Sequence, residues 1–121
     1  MKKEFAEYTL SKVVLGESLD NLTDYVPDSA RQVIIVTDEN VKRLYRHRFP
    51  EYPVIVIGTG EHMKTQETVD QIIAELLRLE ADRHSFLVGI GGGIVCDITG
   101  YAASIFMRGI GFGYVSTTLL S

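Results

Sequence analysis

Phe86-Leu87-Val88-Gly89-Ile90-Gly91-Gly92-Gly93-Ile94-Val95-Cys96-Asp97 changes character twice within twelve residues. Its first part is a short, continuous apolar run, the pattern of a strand buried on both faces. Three glycines follow. The chain then resumes with apolar residues at helical spacing, which predicts a helix over about 94–107, stopped by Gly109. Strand, glycine turn and helix in that order are the unit of an open α/β sheet, whose ligands bind outside the carboxyl ends of the strands. The same reading extends outward. Val33-Ile34-Ile35-Val36 and Val54-Ile55-Val56-Ile57 are continuous β-branched runs, and Phe112-Gly113-Tyr114-Val115 is a weaker one. Between them Val69, Ile72, Ile73, Leu76 and Leu77 fall on one face of a helix over about 65–82, with Thr65 as its cap and Glu67 in its first turn. A second helix is expected over 40–47, ended by Pro50, and a short one over 18–25, before Pro27. Residues 5–16 read as one or two strands, with a hairpin as one option. The alternation predicts an α/β fold: an open, mainly parallel sheet with helices on both faces.

Composition bounds what such a domain does. The chain has 121 residues, 45% hydrophobic and 23% charged, with a net charge of -4. That is one domain with a core of its own, and too apolar for global disorder. The acidic balance disfavours nucleic-acid binding. No run of 18 apolar residues predicts a membrane span, and Met1-Lys2-Lys3-Glu4 does not open a signal peptide. Cys96 is the single cysteine, so no intramolecular disulfide forms, which fits a reducing, cytoplasmic setting. Ser116-Thr117-Thr118-Leu119-Leu120-Ser121 reads as the start of a helix after a strand, so residues 1–121 are expected to be a truncated domain of a longer protein.

The candidate chemistry gathers at predicted strand ends. Gly91-Gly92-Gly93 lets a phosphate approach the backbone at a helix N-terminus, or is simply a tight turn. Neither common phosphate recipe fits. The sixth position of a G-x-G-x-x-G frame from Gly89 is Ile94, and no Lys-Ser/Thr follows the glycines. Asp97 is expected in the first turn of the following helix, where the dipole alone favours an acid. Asp38 and Asn40, after the Val33–Val36 run, suit either ribose hydroxyls or a helix cap, the cap being favoured on pattern. Gly58-Thr59-Gly60-Glu61 ends a third strand, with Lys64 three residues on. In a parallel sheet all these lie along one edge. His47, His62 and His84 lack metal-ligand spacing. Lys42, Arg43, Arg46 and Arg48 read as a solvated helix face, Cys96 as packing, and Arg108 as a cation at a helix C-terminus.

Taken together, these motifs resemble a known family. Gly91-Gly92-Gly93, then Asp97, then Gly100-Tyr101-Ala102-Ala103, then Arg108-Gly109, then Val115-Ser116-Thr117-Thr118-Leu119-Leu120 is similar to the N-terminal half of the 3-dehydroquinate synthase family. Thr37-Asp38-x-Asn40-Val41 and Gly60-Glu61-x-x-Lys64 match two further family motifs in order. The likeness runs from about Gly16 to Ser121. Cys96 departs from the family's usual glycine and Ser116 from its frequent proline.

The resemblance implies a Rossmann-like, NAD-binding N-terminal domain. It implies a parent enzyme that converts 3-deoxy-D-arabino-heptulosonate 7-phosphate, a phosphorylated sugar acid, to 3-dehydroquinate and phosphate in the shikimate pathway. NAD is used catalytically there, and zinc or another divalent metal polarises the substrate. Residue by residue, it assigns Asp38, Asn40, Glu61, Lys64, Thr117 and Thr118 to NAD contacts and Gly92, Gly93 and Asp97 to the phosphate loop. Arg108 becomes a clamp on the substrate phosphate that reaches across a homodimer interface. The helical C-terminal domain with the metal ligands lies outside this sequence, so no catalytic or metal residue is assigned and the chain alone is expected to be inactive. A related sugar phosphate cyclase, a metal-dependent glycerol dehydrogenase-like domain and a stand-alone nucleotide-binding module are the competing readings.

Overall fold

The computed structural model describes residues 11–14, 22–24 and 26–116, with side chains from residue 22 onward. Five strands form one sheet: β1 (Ser11–Val14), β2 (Gln32–Asp38), β3 (Val54–Ile57), β4 (Ser85–Gly91) and β5 (Gly111–Ser116). Their spatial order is β1-β5-β4-β2-β3, and every adjacent pair is parallel. The expected continuous apolar runs are therefore strands of a parallel sheet, but β3 lies at its edge with Val56 exposed, so that run is not buried on both faces. β4, near its middle, is buried at all seven positions.

Among the described residues three α-helices connect β2 through β5: α1 (Glu39–Tyr45), α2 (Gln66–Arg78) and α3 (Gly93–Ile105). Because side chains alternate across a strand, β2 feeds two cores. Ile34 and Val36 pack with Ile55, Ile57, α2 and α3 on one face. Val33 and Ile35 pack with Val41 of α1, Leu22, Phe86 and Val88 on the other. Helices thus cover both faces, as expected.

Several boundaries differ from the sequence reading. Thr65 caps α2 as expected, its hydroxyl accepting from Thr68 N at 3.2 Å. The helix stops at Arg78, short of 82. There Glu80 turns left-handed at φ 60°, and Glu80 N and Ala81 N donate to Leu77 O and Leu76 O at 3.0 and 2.9 Å. That is a Schellman end with Glu in the place glycine prefers. Leu77, expected on the buried face, is 58% exposed. Eight residues at 100° each carry it about 80° round from Val69. The helix expected over 40–47 is α1, continued by a 3-10 turn at Arg46–Arg48. Of the helix expected over 18–25, residues 22–24 form a 3-10 turn and residues 18–21 and 25 lie outside the described residues. Of the opening strands, Ser11–Val14 joins the sheet beside β5 in parallel; the other half of a hairpin lies outside the described residues.

Candidate cofactor site

The central strands β2 and β4 pair from Gln32↔Ser85 to Thr37↔Ile90. Beyond that rung they part. β2 runs into α1 on one face and β4 into α3 on the other. Chain connections leave this point in opposite directions, β2 outward to β3 and β4 outward to β5. This is the topological switch point of an open α/β sheet, where the strand ends leave a crevice.

The glycines there divide by role. A β-carbon built on Gly91 would lie 2.8 Å from Val95 Cβ and Cγ2, and one on Gly89 would lie 2.7 Å from Thr99 Oγ1. Those two glycines let strand and helix pack closely. β-carbons on Gly92 or Gly93 would meet nothing within 4 Å. Packing therefore does not demand glycine at either position, and the space over them is open to a ligand. Gly92 is the N-cap of α3 and supplies no side-chain cap. The first amides of α3 are thus left without a side-chain acceptor, at the positive end of the helix dipole. These residues fit a diphosphate.

The side chains expected near the glycines divide similarly. Asp38 caps α1, its Oδ1 accepting from Val41 N at 2.8 Å; the cap reading is realised, with one carboxylate oxygen used in this way. Asn40 Oδ1 accepts from Arg43 at 3.1 Å, which turns the amide nitrogen away from that contact. Gly60, at φ 98°, admits a 3-10 turn at Glu61–Met63 that places Glu61 and then Lys64 beyond β3. Asp97 stands in the second turn of α3 and not the first, because the helix opens at Gly93. It accepts from Lys64 Nζ at 3.2 Å, an exposed ion pair that ties the β3–α2 connection to α3. A cavity of about 310 Å³ lies beside this pair, between the N-terminal end of α2 and the middle of α3, with Val69, Ile98 and Tyr101 in its wall. Neither chain distance nor periodicity signalled that contact. Thr117 and Thr118 lie outside the described residues.

Arg108 is not at the end of the helix. α3 stops at Ile105, and Met107 and Arg108 follow with φ of 47° and 68°, then Gly109 at 109°. Consecutive left-handed non-glycine residues are costly. Arg108 closes a 3-10 turn, Phe106–Arg108, that follows α3, and its side chain is exposed. Ile110 returns to the core, its amide donating to Ala103 O at 2.9 Å.

Cys96 is partly buried, and burial followed by the neighbouring Asp97 pushes its thiol up to about 11. The thiol is therefore protonated at neutral pH, which fits packing over nucleophilic use. Among the described residues no group of three or more His, Cys, Asp and Glu side chains is placed to hold a metal, and no helix is long and apolar enough to cross a membrane.

The fold and this edge define a doubly covered parallel α/β domain with a glycine turn open at its switch point. Residues 54–121 match the family described as 3-dehydroquinate synthase N-terminal, and the chain belongs to that family. It is similar to 3-dehydroquinate synthase of Psychrobacter cryohalolentis, 40% identical over 100 residues, covering 77% of this chain and 27% of the relative. It is also similar to that of Francisella tularensis subsp. tularensis, 36% identical over 119 residues, covering 90% and 33%. Among solved structures it matches 2-deoxy-scyllo-inosose synthase with a TM-score of 0.75, 31% identity, and coverage of 94% of this chain and 35% of that one. A second structure of that enzyme, complexed with carbaglucose-6-phosphate, NAD+ and Co2+, matches with the same TM-score at 29% identity, covering 94% and 34%. The chain spans about a third of the length of the relatives it matches.

Proposed function

We propose that this chain is the NAD-binding part of a 3-dehydroquinate synthase, a lyase of the shikimate pathway that releases phosphate from 3-deoxy-D-arabino-heptulosonate 7-phosphate. The observation that carries the reading is the open space over Gly92 and Gly93 at the N-terminus of α3. Family membership and a neighbour solved with NAD+ and Co2+ support it. NAD supplies a hydride acceptor and donor; the protein supplies place and charge. Backbone amides at Gly92 and Gly93 hold the diphosphate. Asp38 and Asn40 at the end of β2, with Glu61 and Lys64 after β3, flank it and bind ribose and base, and Asp97 orients Lys64. Thr117 and Thr118 complete the NAD contacts.

Arg108 holds the substrate phosphate of a neighbouring subunit in a homodimer; its forked donors suit phosphate oxygens. The divalent metal belongs to parts of the enzyme beyond these residues. A cytoplasmic place of action, without nucleic-acid or membrane partners, belongs to the same proposal and rests on the single cysteine and the net charge of -4.

Calorimetric titration with NAD tests the core of it. Measurable NAD binding that Gly93→Val weakens at unchanged melting temperature is expected. Equal affinity in the variant would leave the glycines a structural turn.

A further inference from the structure

The crevice at the switch point is lined by glycines, the residues with the most backbone freedom to lose. Gly92 and Gly93 have no neighbour over their outer side. Something beneath must fix the direction in which the turn leaves β4. On the helix side, Cys96 N donates to Gly92 O at 3.1 Å. On the strand side, Thr37 Oγ1 donates to Ile90 O at 2.7 Å, across the last rung that joins β2 to β4. Thr37 is wholly buried, so it touches no ligand. The Ile90 carbonyl belongs to the rigid peptide plane whose other end is the Gly91 amide. Holding that oxygen holds the plane, and with it the exit of the turn.

Building on the cofactor reading above, we infer that Thr37 is a positioning residue: its hydroxyl clamps the Ile90–Gly91 peptide and so presets the glycine turn for a diphosphate. The clamp spans the two strands that diverge around the crevice, so it also sets the width of the site between Asp38 and Gly92. A second buried hydroxyl, Ser85, stands at the opposite end of the same strand pair, accepting from Asp82 N at 3.0 Å. It is the natural control.

The test compares Thr37→Val, Thr37→Ser and Ser85→Ala in the full chain. The readouts are amide hydrogen exchange at Gly91 and Cys96, NAD titration and thermal melting. Thr37→Val is expected to speed exchange at both amides and weaken NAD about tenfold. Thr37→Ser, which restores the donor, is expected to recover both. Ser85→Ala is expected to lower the melting temperature and change neither. Wild-type exchange and affinity in Thr37→Val would overturn the inference, as would equal effects of Ser85→Ala. If the unaltered chain binds no NAD, the cofactor reading fails, while exchange at Gly91 and Cys96 still decides whether Thr37 holds the turn.

Discussion

Adjacent glycines in one turn have opposite reasons for being glycine. At Gly91 a β-carbon would press on Val95 at 2.8 Å, so Gly91→Ala should cost roughly 1–3 kcal/mol of stability through overpacking. At Gly93 the space is empty and the residue opens α3. Gly93→Ala should keep or raise the melting temperature by helix propensity while weakening NAD. Paired melts and titrations read the two effects apart. Arg108 carries a second residue-scale prediction. Arg108→Ala in the full-length protein should leave NAD affinity nearly intact. The loss of a charge-assisted hydrogen bond, roughly 1.5–3 kcal/mol, should lower kcat/KM about 10- to 100-fold. An unchanged kcat/KM would remove Arg108 from the phosphate site.

At the scale of elements, left-handed residues mark where the chain bends its own rules. Glu80 ends α2 in a conformation glycine adopts freely. Glu80→Gly is therefore expected to stabilise by about 1 kcal/mol, seen as a higher melting temperature. A lower one would mean Glu80 contributes through its side chain. Such features explain what the sequence conveys and what it hides. β2 and β4 were legible because their apolar runs are buried on both faces, β3 because its β-branched run is continuous even though Val56 is exposed at the sheet edge, and α2 because its cap and periodicity agree. The end of α3 was not, since nothing in Ile105-Phe106-Met107-Arg108 announces a left-handed pair; the helix pattern simply runs on to Gly109. The Lys64–Asp97 pair was hidden for another reason: it joins elements 33 residues apart, and only the packing of α2 beside α3 brings them together. The glycine turn was visible, but its division into packing and open positions needed Val95 and Thr99 in place.

For the whole molecule, charge ties the two ends of β4 to different tasks. The edge opposite the glycines is held by Arg31, whose Nε donates to Asp82 Oδ2 at 2.8 Å and whose Nη2 donates to Glu80 O at 3.0 Å. A hydrogen bond from His84 N, aided by Arg31, holds the Asp82 carboxyl below its usual value. A depressed carboxylate adds stability above its unfolded value and loses it as pH falls through the folded one. Asp82→Asn should thus lower the melting temperature at neutral pH, and the gap should close below about pH 4. A gap that persists in acid would assign the effect to the side-chain amide itself. The sheet order has a consequence in time. β1 pairs only with β5 among the described strands, Ser11 with Phe112. On the ribosome the first strand is made long before its partner leaves the exit tunnel. At about 5–20 residues per second, it waits on the order of 5–20 s with its edge bare. Nascent chains stalled before β5 should stay open to protease at residues 11–14, and protection there should arrive in one step as Gly111–Ser116 emerges.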